Sequence, residues 1–356
     1  MAKTPQNIPS VTVIIPMYNA QKYIGQCLQS LADQTFQDFD IIVVNDCSSD
    51  NSVAEVKKFN EKFEGRLKIK SLSKNSGASS VPKNTGIQMA RGKYITFCDS
   101  DDYFTPTALE ELFKIAEETE ADIVHCSHYF QINEGEDKIK TTTFQIGNFV
   151  DVPTLETSDI SERVKKFIQR GFLWWGQCKL YNRDFLVKNK IQFPQSKVWE
   201  DMIFSFQCVV LAKKYVRVPN VIYYYRDHQD SLSHIPKTPQ YIIRTLINII
   251  GCFDKFMART EFFQQNPQYR FMVLDWHIQD RMAVFCNALY IRDKVTPLDV
   301  AKIFTQEMAA EFSKDVMPFV SYCFAVMGYQ RTYILQTAQE KNQLQQKIAE
   351  LEAQKN

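Results

Sequence analysis

Short β-branched runs alternate with amphipathic stretches through the first third of this chain, and few folds accept that pattern. Val11–Pro16 is apolar almost throughout and reads as a buried strand. Gln21–Asp33 places Ile24, Leu28 and Leu31 on one face, the spacing of a helix lying on a core. Asp40–Asn45 is a second strand with Ile-Ile-Val-Val at its heart. Ser52–Phe63 is a second helix, with Asp50 or Ser52 as candidate N-caps. Leu67–Leu72 alternates apolar and basic residues, as a strand near a sheet edge would. Beyond a loop carrying Ser76–Gly77, a helix ends near Arg91–Gly92. The strand Tyr94–Cys98, the helix Thr105–Glu118 and the strand Ala121–Cys126 follow. This alternation predicts an α/β fold with a mainly parallel sheet covered on both faces. Ligands in such folds bind at the carboxyl ends of strands.

The pattern then changes. Gln131–Thr157 is polar and reads as a hairpin or mobile insertion, and from Ser161 onward helical patterns dominate. The stretch from about Pro239 to Gln330 reads as nearly all helix and carries no motif with evident chemistry. At the end, Ile334, Thr337, Lys341, Leu344, Ile348 and Leu351 recur at a spacing of three to four among Gln, Glu and Lys. That short heptad run suits either a coil joining copies of the chain or a solvated tail.

Composition narrows the function classes. A length of 356 residues suits about two domains. The formal net charge is +1, so the basic stripe of a nucleic-acid binder is not expected. Nine cysteines, an odd count with no C-x-x-C pair, fit a reduced compartment and thiols acting as small hydrophobes. Met1–Ser10 is polar and lacks the apolar core of a signal peptide. The longest apolar stretch, Val316–Tyr329, is interrupted by Pro318 and Ser321, so no membrane span is expected.

Chemistry concentrates in Phe97–Cys98–Asp99–Ser100–Asp101–Asp102, directly after a predicted strand. Three carboxylates so close repel one another, and a hard divalent cation would relieve them. Mg²⁺ or Mn²⁺ would also leave positions open for phosphate oxygens. Taken alone, the motif is weak, and a turn and helix cap before Thr105–Pro106 accounts for it. Glu200–Asp201 likewise fits the acidic first turn of a helix, favoured by the macrodipole.

Several motifs coincide, however. Thr12–Asn19 is a strand ending in Pro-x-Tyr-Asn, and Ile42–Asp50 is a strand ending in an acidic, hydroxyl-rich loop. Asn75–Gly86 and Gly92–Asp102 complete the set. In this order and spacing they resemble the nucleotide-binding half of family 2 glycosyltransferases with the GT-A fold, over Val11–Cys126. The resemblance implies a Rossmann-like nucleotide-sugar domain over 10–236, split into a nucleotide-binding half (10–126) and an acceptor half (127–236). A flexible N-terminus (1–9) would precede it. A mostly helical region (237–332) and a coiled-coil tail (333–356) would follow.

The resemblance also implies roles. Pro16 and Tyr18 would line the nucleobase pocket, and Asp46 would accept the imide N–H of a uracil. Gly77 and Lys83 would face the nucleotide. The family's usual Ala-Arg-Asn is here Pro82–Lys83–Asn84, which replaces a planar fork with a point charge. Asp99, Ser100 and Asp101 would bind the donor, with Asp101 and Asp99 on Mn²⁺ or Mg²⁺. Trp174–Tyr181 followed by Val198–Phe204 resembles the acceptor-side pattern, in which a Lys-Leu-Tyr segment precedes a Glu-Asp pair. Asp201 would be the catalytic base, with Glu200 the alternative. Trp174, Trp175 and Lys179 would sit on the acceptor side, the tryptophans as a sugar platform or as core. Tyr223–Ser233 resembles the family's Tyr-Arg segment, with Arg226 on the diphosphate and His228 on metal or phosphate. His125 and His128 read as structural.

The activity implied is inverting transfer of a hexose or N-acetylhexosamine from a UDP-sugar to a glycan or lipid-linked hydroxyl. It would serve cell-surface polysaccharide synthesis, in the cytoplasm or peripherally on the inner membrane face. A nucleotidyltransferase would want a basic, glycine-rich early loop, and Pro16–Ala20 has neither Lys nor Gly. A non-catalytic scaffold predicts a degraded acidic site, yet Asp99, Asp101 and Asp201 are all present.

Overall fold

The apolar run at the start of the chain becomes the middle of a sheet. In the computed structural model, residues 8–133, 140–142, 149–196, 199–229, 231, 238–278, 336–337 and 339–348 are described. The chain divides into two compact units, 1–235 and 236–356.

The first unit follows the expected alternation: β1 (Val11–Met17), α1 (Ile24–Ala32), β2 (Phe39–Asn45), α2 (Ser52–Lys57), β3 (Leu67–Ser71), α3 (Ser80–Met89) and β4 (Tyr94–Phe97). A two-residue β5 (Tyr103–Phe104), α4 (Ala108–Thr119) and β6 (Ile123–Asn133) come next. The later elements are β7 (Lys140–Thr142), β8 (Thr154–Leu155), α5 (Ile160–Ile168), β9 (Lys179–Asn182), α6 (Arg183–Lys188), α7 (Glu200–Leu211) and β10 (Tyr215–Asp227). The described strands form one sheet in the order β3-β2-β1-β4-β9-β6-β10-β5, with β7 beside β6 and β8 beside β10.

The run β3-β2-β1-β4 is parallel throughout. Every residue of β1 and β2 is buried, which is why those strands are apolar runs rather than alternations. Buried Asp40 is paired from both sides: Thr12 Oγ1 donates to its Oδ1 at 2.7 Å and Lys68 Nζ to its Oδ2 at 3.2 Å. On α1, Ile24, Cys27, Leu28 and Leu31 are buried at helical spacing, each large apolar side chain contributing about 1.5–3 kcal/mol. α3 lies against β1 so closely that a Cβ on Gly86 would sit 2.3 Å from Ile14 Cγ2. Gly86 therefore serves close helix–sheet packing, not a turn. Because Met17 pairs with Asn45 and Ile14 with Phe97, the residues leaving β1, β2 and β4 emerge along the same edge.

The second half of the sheet is mixed. β9 enters antiparallel between β4 and β6, whereas β6 and β10 run parallel. The thirteen-residue β10 lies where helical patterns were expected to dominate. Pro219–Asn220 interrupts its alternation, and the strand accommodates them with register shifts between Val218 and Val221. The polar insertion is a hairpin where described: β6 runs past Cys126 and pairs antiparallel with β7.

In the second unit, α8 (Pro239–Ala258) begins with the Thr238 side chain accepting from the Tyr241 N–H. α9 (Glu261–Gln265) and α10 (Pro267–His277) follow, and Arg270 pairs with the fully buried Asp254 at 2.6 Å. The described tail residues, 336–337 and 339–348, are helical and exposed. Most of the expected helical stretch beyond His277, Leu232 and Ser233, residues 1–7, and Ile334 and Leu351 of the heptad lie outside the described residues. Among the described residues, no helix is long and apolar enough to cross a membrane. No disulfide forms among the described cysteines.

Candidate active site

The loops after β1 and β2 are laced to each other. Asn19 N–H donates to Ser48 Oγ at 3.0 Å, and Ser49 N–H donates to Asn19 Oδ1 at 2.8 Å. Pro16 is buried in the strand, while Tyr18 is 51% exposed beside it. Asp46 is anchored through its N–H to Met17 O, and its carboxylate accepts from Ser76 N–H at 2.9 Å and Ser76 Oγ at 2.8 Å. A carboxylate has about four lone-pair sites, so Asp46 keeps capacity for one more donor. Gly77, at φ 75°, makes the turn that carries Ser76 back toward Asp46.

The acidic turn after β4 is held by β10. Tyr223 Oη donates to Asp102 Oδ2 at 2.8 Å and accepts from Asp99 N–H at 3.0 Å. Arg226 N–H donates to Asp102 Oδ1 at 2.8 Å, so buried Asp102 is a structural acceptor with both oxygens used. Burial, then Asp101 and Asp99, pushes its carboxyl well above the usual range. Asp99 accepts from Gln177 Nε2. Burial foremost, then Asp101, Asp201 and Glu200, raises Asp99 to about 7 against the opposing pull of Lys83. Asp101 lies 3.0 Å from His228 Nε2, whose ring packs on Tyr23 at 4.7 Å. Arg226 lies at the same turn, but its Nε donates to the Asp101 carbonyl and its Nη2 to Gln26. Its guanidinium also covers Tyr23 and Tyr103.

The second acidic pair opens α7, after Trp199 in the left-handed region at φ 61°. So bulky a residue rarely adopts that conformation. Ser79 Oγ donates to buried Glu200 at 2.5 Å. Burial, then Asp201, raises Glu200, with Lys83 and Ser79 opposing. Lys83 Nζ donates to Asp201 Oδ1 at 2.8 Å and stands 3.8 Å from Glu200. Burial alone would lower the Lys83 ammonium, but Asp201, Asp99 and Glu200 together hold it well above its ordinary value.

One loop touches both acids. A Cβ on Gly176 would lie 3.4 Å from Asp201 Oδ1, and the next residue, Gln177, holds Asp99. Behind the loop, buried Lys179 donates to the carbonyls of Leu173, at 2.8 Å, and Trp175. Burial lowers Lys179 to about 8. Trp175 packs between Tyr129 and Tyr225 at 4.8 and 5.0 Å, while Trp174 packs on Phe167 at 6.0 Å.

Residues scattered through the sequence thus meet in two groups, Lys83 with Glu200 and Asp201, and Asp101 with His228, while Asp99 is held by Gln177, the neighbour of Gly176. Ser100 lies partly exposed in the turn, and Lys83 contacts Asp201 where a nucleotide contact was implied. Sequence reasoning passed over Gln177, Tyr223 and Ser79. Gln177 lay inside a quoted motif, but nothing local to it signalled Asp99 as its partner. Of the two histidines expected to be structural, His125 is fully buried beside Tyr215 and His128 is bonded to Ser127.

Do these residues fit a divalent cation? Among the described residues, no three His, Cys, Asp or Glu side chains form a ready cage. Asp101 and His228 nevertheless present a carboxylate and an imidazole together, and His228 Nδ1 is buried with no hydrogen-bond partner among the described residues. A site of one or two protein ligands completed by phosphate oxygens is the usual arrangement for a nucleotide-bound metal. The pair fits that arrangement.

Comparisons with known proteins bear on the family and the fold. The model of the family described as "Glycosyl transferase family 2" matches residues 12–188. The uncharacterized glycosyltransferase YibD of Escherichia coli is 30% identical over 269 residues, 72% of this chain and 75% of its own. The uncharacterized glycosyltransferase EpsJ of Bacillus subtilis is 31% identical over 233 residues, 65% of each chain. This chain spans 62% of EpsH, another Bacillus subtilis relative, at 33% identity. Residues 1–349 of TarS from Staphylococcus aureus, solved in complex with UDP-GlcNAc, share the fold at a TM-score of 0.64 and 23% identity, covering 90% of this chain and 89% of that one. The chain belongs to glycosyl transferase family 2.

Proposed function

We propose that the first unit is a metal-dependent, inverting transferase that moves a hexose or N-acetylhexosamine from a UDP-sugar to a hydroxyl of a glycan or lipid-linked acceptor. The observation that carries this reading is the Gly176–Gln177 dipeptide, flanked by Asp201 on one side and Asp99 on the other. A donor-side acid and a candidate base then lie against one loop, as transfer between two bound molecules requires.

On the donor side, Asp46 accepts the uracil imide N–H, with Pro16 and exposed Tyr18 beside the base and Gly77 shaping the loop. Asp99 and Ser100 face the sugar and diphosphate, and Arg226 fixes the turn that carries Asp101. Asp101 and His228 would hold Mn²⁺ or Mg²⁺, which when bound supplies positive charge against the leaving diphosphate. On the acceptor side, Asp201 takes the proton of the acceptor hydroxyl as its oxygen bonds to the anomeric carbon. The bond from that carbon to the diphosphate breaks, the electron pair leaves with UDP, and the configuration inverts. Trp175 and Tyr225 form the sugar platform, and Lys179 fixes the loop that presents Trp175.

UDP as the donor nucleotide draws support from the TarS complex with UDP-GlcNAc. TarP of Staphylococcus aureus, a poly(ribitol-phosphate) beta-N-acetylglucosaminyltransferase, is 30% identical over 217 residues, 62% of its length. A polymer acceptor is proposed by the same likeness, and action in the cytoplasm or peripherally on the inner membrane face is proposed with it. The exposed heptad tail is proposed to join copies of the chain.

A panel of nucleotide sugars, read by thermal stabilisation and nucleotide release with and without Mn²⁺, tests the reading. UDP-sugars should stabilise the protein in a metal-dependent way, by about 2.7 kcal/mol at a hundred times Kd. Preference for a purine nucleotide would reject the Asp46 role. Binding without release across a broad acceptor panel would favour a sugar-nucleotide scaffold instead.

A further inference from the structure

We infer that Lys83 is the positioning residue of the base: its ammonium holds Asp201 by Oδ1 so that Oδ2 meets the acceptor hydroxyl. The inference rests on Asp201 being the base, and it gives Lys83 a different task from nucleotide contact.

Lys83 is 2% exposed, too enclosed for its ammonium to meet a diphosphate without leaving its present partners. Its side chain extends from α3, which Gly86 locks against β1. The ammonium lies 5.0 Å from the Phe193 ring centroid, and Phe193 stacks on Phe204 of α7 at 3.8 Å with the planes 5° apart. The cation is therefore confined between the helix that carries it and the helix that carries the base. It bonds one oxygen only, Oδ1, which is also the oxygen beside Gly176. Asp201 Oδ2 makes no hydrogen bond among the described residues, and the side chain keeps 20% exposure. One oxygen is thus fixed and the other left for a proton. Asp99, Glu200 and Asp201 all act on this ammonium, whereas the nearby Lys179 donates to carbonyls. Without Lys83, Asp201 would be free to rotate about its side-chain bonds, and misplacement by about 1 Å can cost a factor of about 100 in rate.

A double-mutant cycle tests the inference. Lys83→Met, Asp201→Asn and the double variant are compared by UDP release from UDP-N-acetylglucosamine or UDP-glucose, whichever the wild type turns over faster, and by UDP affinity. Lys83→Met should lower kcat by roughly 100-fold and leave the UDP Kd within about twofold. In the Asp201→Asn background, adding Lys83→Met should cost less than about twofold, because a residue acting through Asp201 has nothing left to position. Losses that multiply, or UDP binding that weakens in step with turnover, would overturn the inference and put Lys83 on the donor. Should Lys83→Met leave its carboxylates too poorly compensated to fold, Lys83→Gln, uncharged and one atom shorter, takes its place: its loss in kcat should be smaller and should vanish in the Asp201→Asn background, and a loss that persists there would overturn the inference. Full activity of Asp201→Asn alone would instead remove the base assignment beneath the inference, a failure the cycle reports separately.

Discussion

The two halves of the first unit build their parts of the site by different means. In the proposed donor half, the loops after β1 and β2 are shaped by each other and by a nearby turn: Asp46 by Ser76, Asn19 by Ser48 and Ser49. The residues of the proposed acceptor half are instead tied back to the donor half across more than a hundred positions. Lys83 meets Asp201, Ser79 meets Glu200, and Tyr223 meets Asp102 and Asp99. A strand-end loop in a parallel sheet is positioned by the sheet itself. The start of α7 has no such frame and is held by ion pairs and aromatic stacking. The donor half should therefore tolerate change at the acceptor half, and mutations should separate binding from turnover.

The largest expected breach of that separation is on the donor side. Asp101→Ala should remove the metal-dependent part of UDP affinity, by roughly 100-fold or more, since even outer-shell changes cost metal sites about 10- to 100-fold. Calorimetry with UDP, with and without Mn²⁺, measures it. Unchanged Mn²⁺-dependent affinity would place the metal elsewhere.

Next comes the loop that touches both acids. A Cβ at Gly176 would lie 3.3 Å from Phe193 and 3.4 Å from Asp201, so the branched side chain of Gly176→Val would displace one of them. Turnover should fall by roughly 10- to 100-fold with UDP affinity retained. Equal loss of UDP affinity would show that the halves are not separable at this point.

This contrast also accounts for what was legible in the sequence. β1, β2 and β4 announce themselves because strands buried on both faces must be apolar runs. Their site residues follow at the strand ends, within reach of local pattern. β10 was not legible, because Pro219 argues against a strand and only a bulge against β6 accommodates it. Asp201 is proposed through a motif, but its partner Lys83 lies 118 positions away, and nothing in either segment names the other. Gln177 was hidden for the same reason.

A smaller effect sharpens the comparison electrostatically. Asp99 is raised to about 7, mainly by burial, so the folded state holds a proton that the unfolded chain releases near its ordinary value of 3.8. The stabilisation is full below about pH 4 and is lost as pH rises through 7. Asp99→Asn lacks this titration and keeps an oxygen for Gln177. The Tm of the ligand-free variant relative to wild type should rise by a few degrees between pH 4 and 7, then level off. A flat difference would mean that Asp99 is fully ionised in the folded protein.

The smallest effect on chemistry belongs to the tail. Leu344 and Ile348 are 61% and 52% exposed on its helix. Deleting residues 333–356 should lower the mass measured by light scattering and leave activity per chain within about twofold, as expected for surface changes remote from the site. An unchanged mass would identify the helix as solvated.

The separation of binding from turnover is tested most directly at Asp201. Asp201→Asn preserves size and suits a helix start, but cannot take a proton. UDP affinity measured by calorimetry should stay within about twofold of wild type while single-turnover transfer falls by roughly two to four orders of magnitude. Transfer at the wild-type rate would contradict the account, and if Glu200→Gln were inactive in the same assay the base would be Glu200.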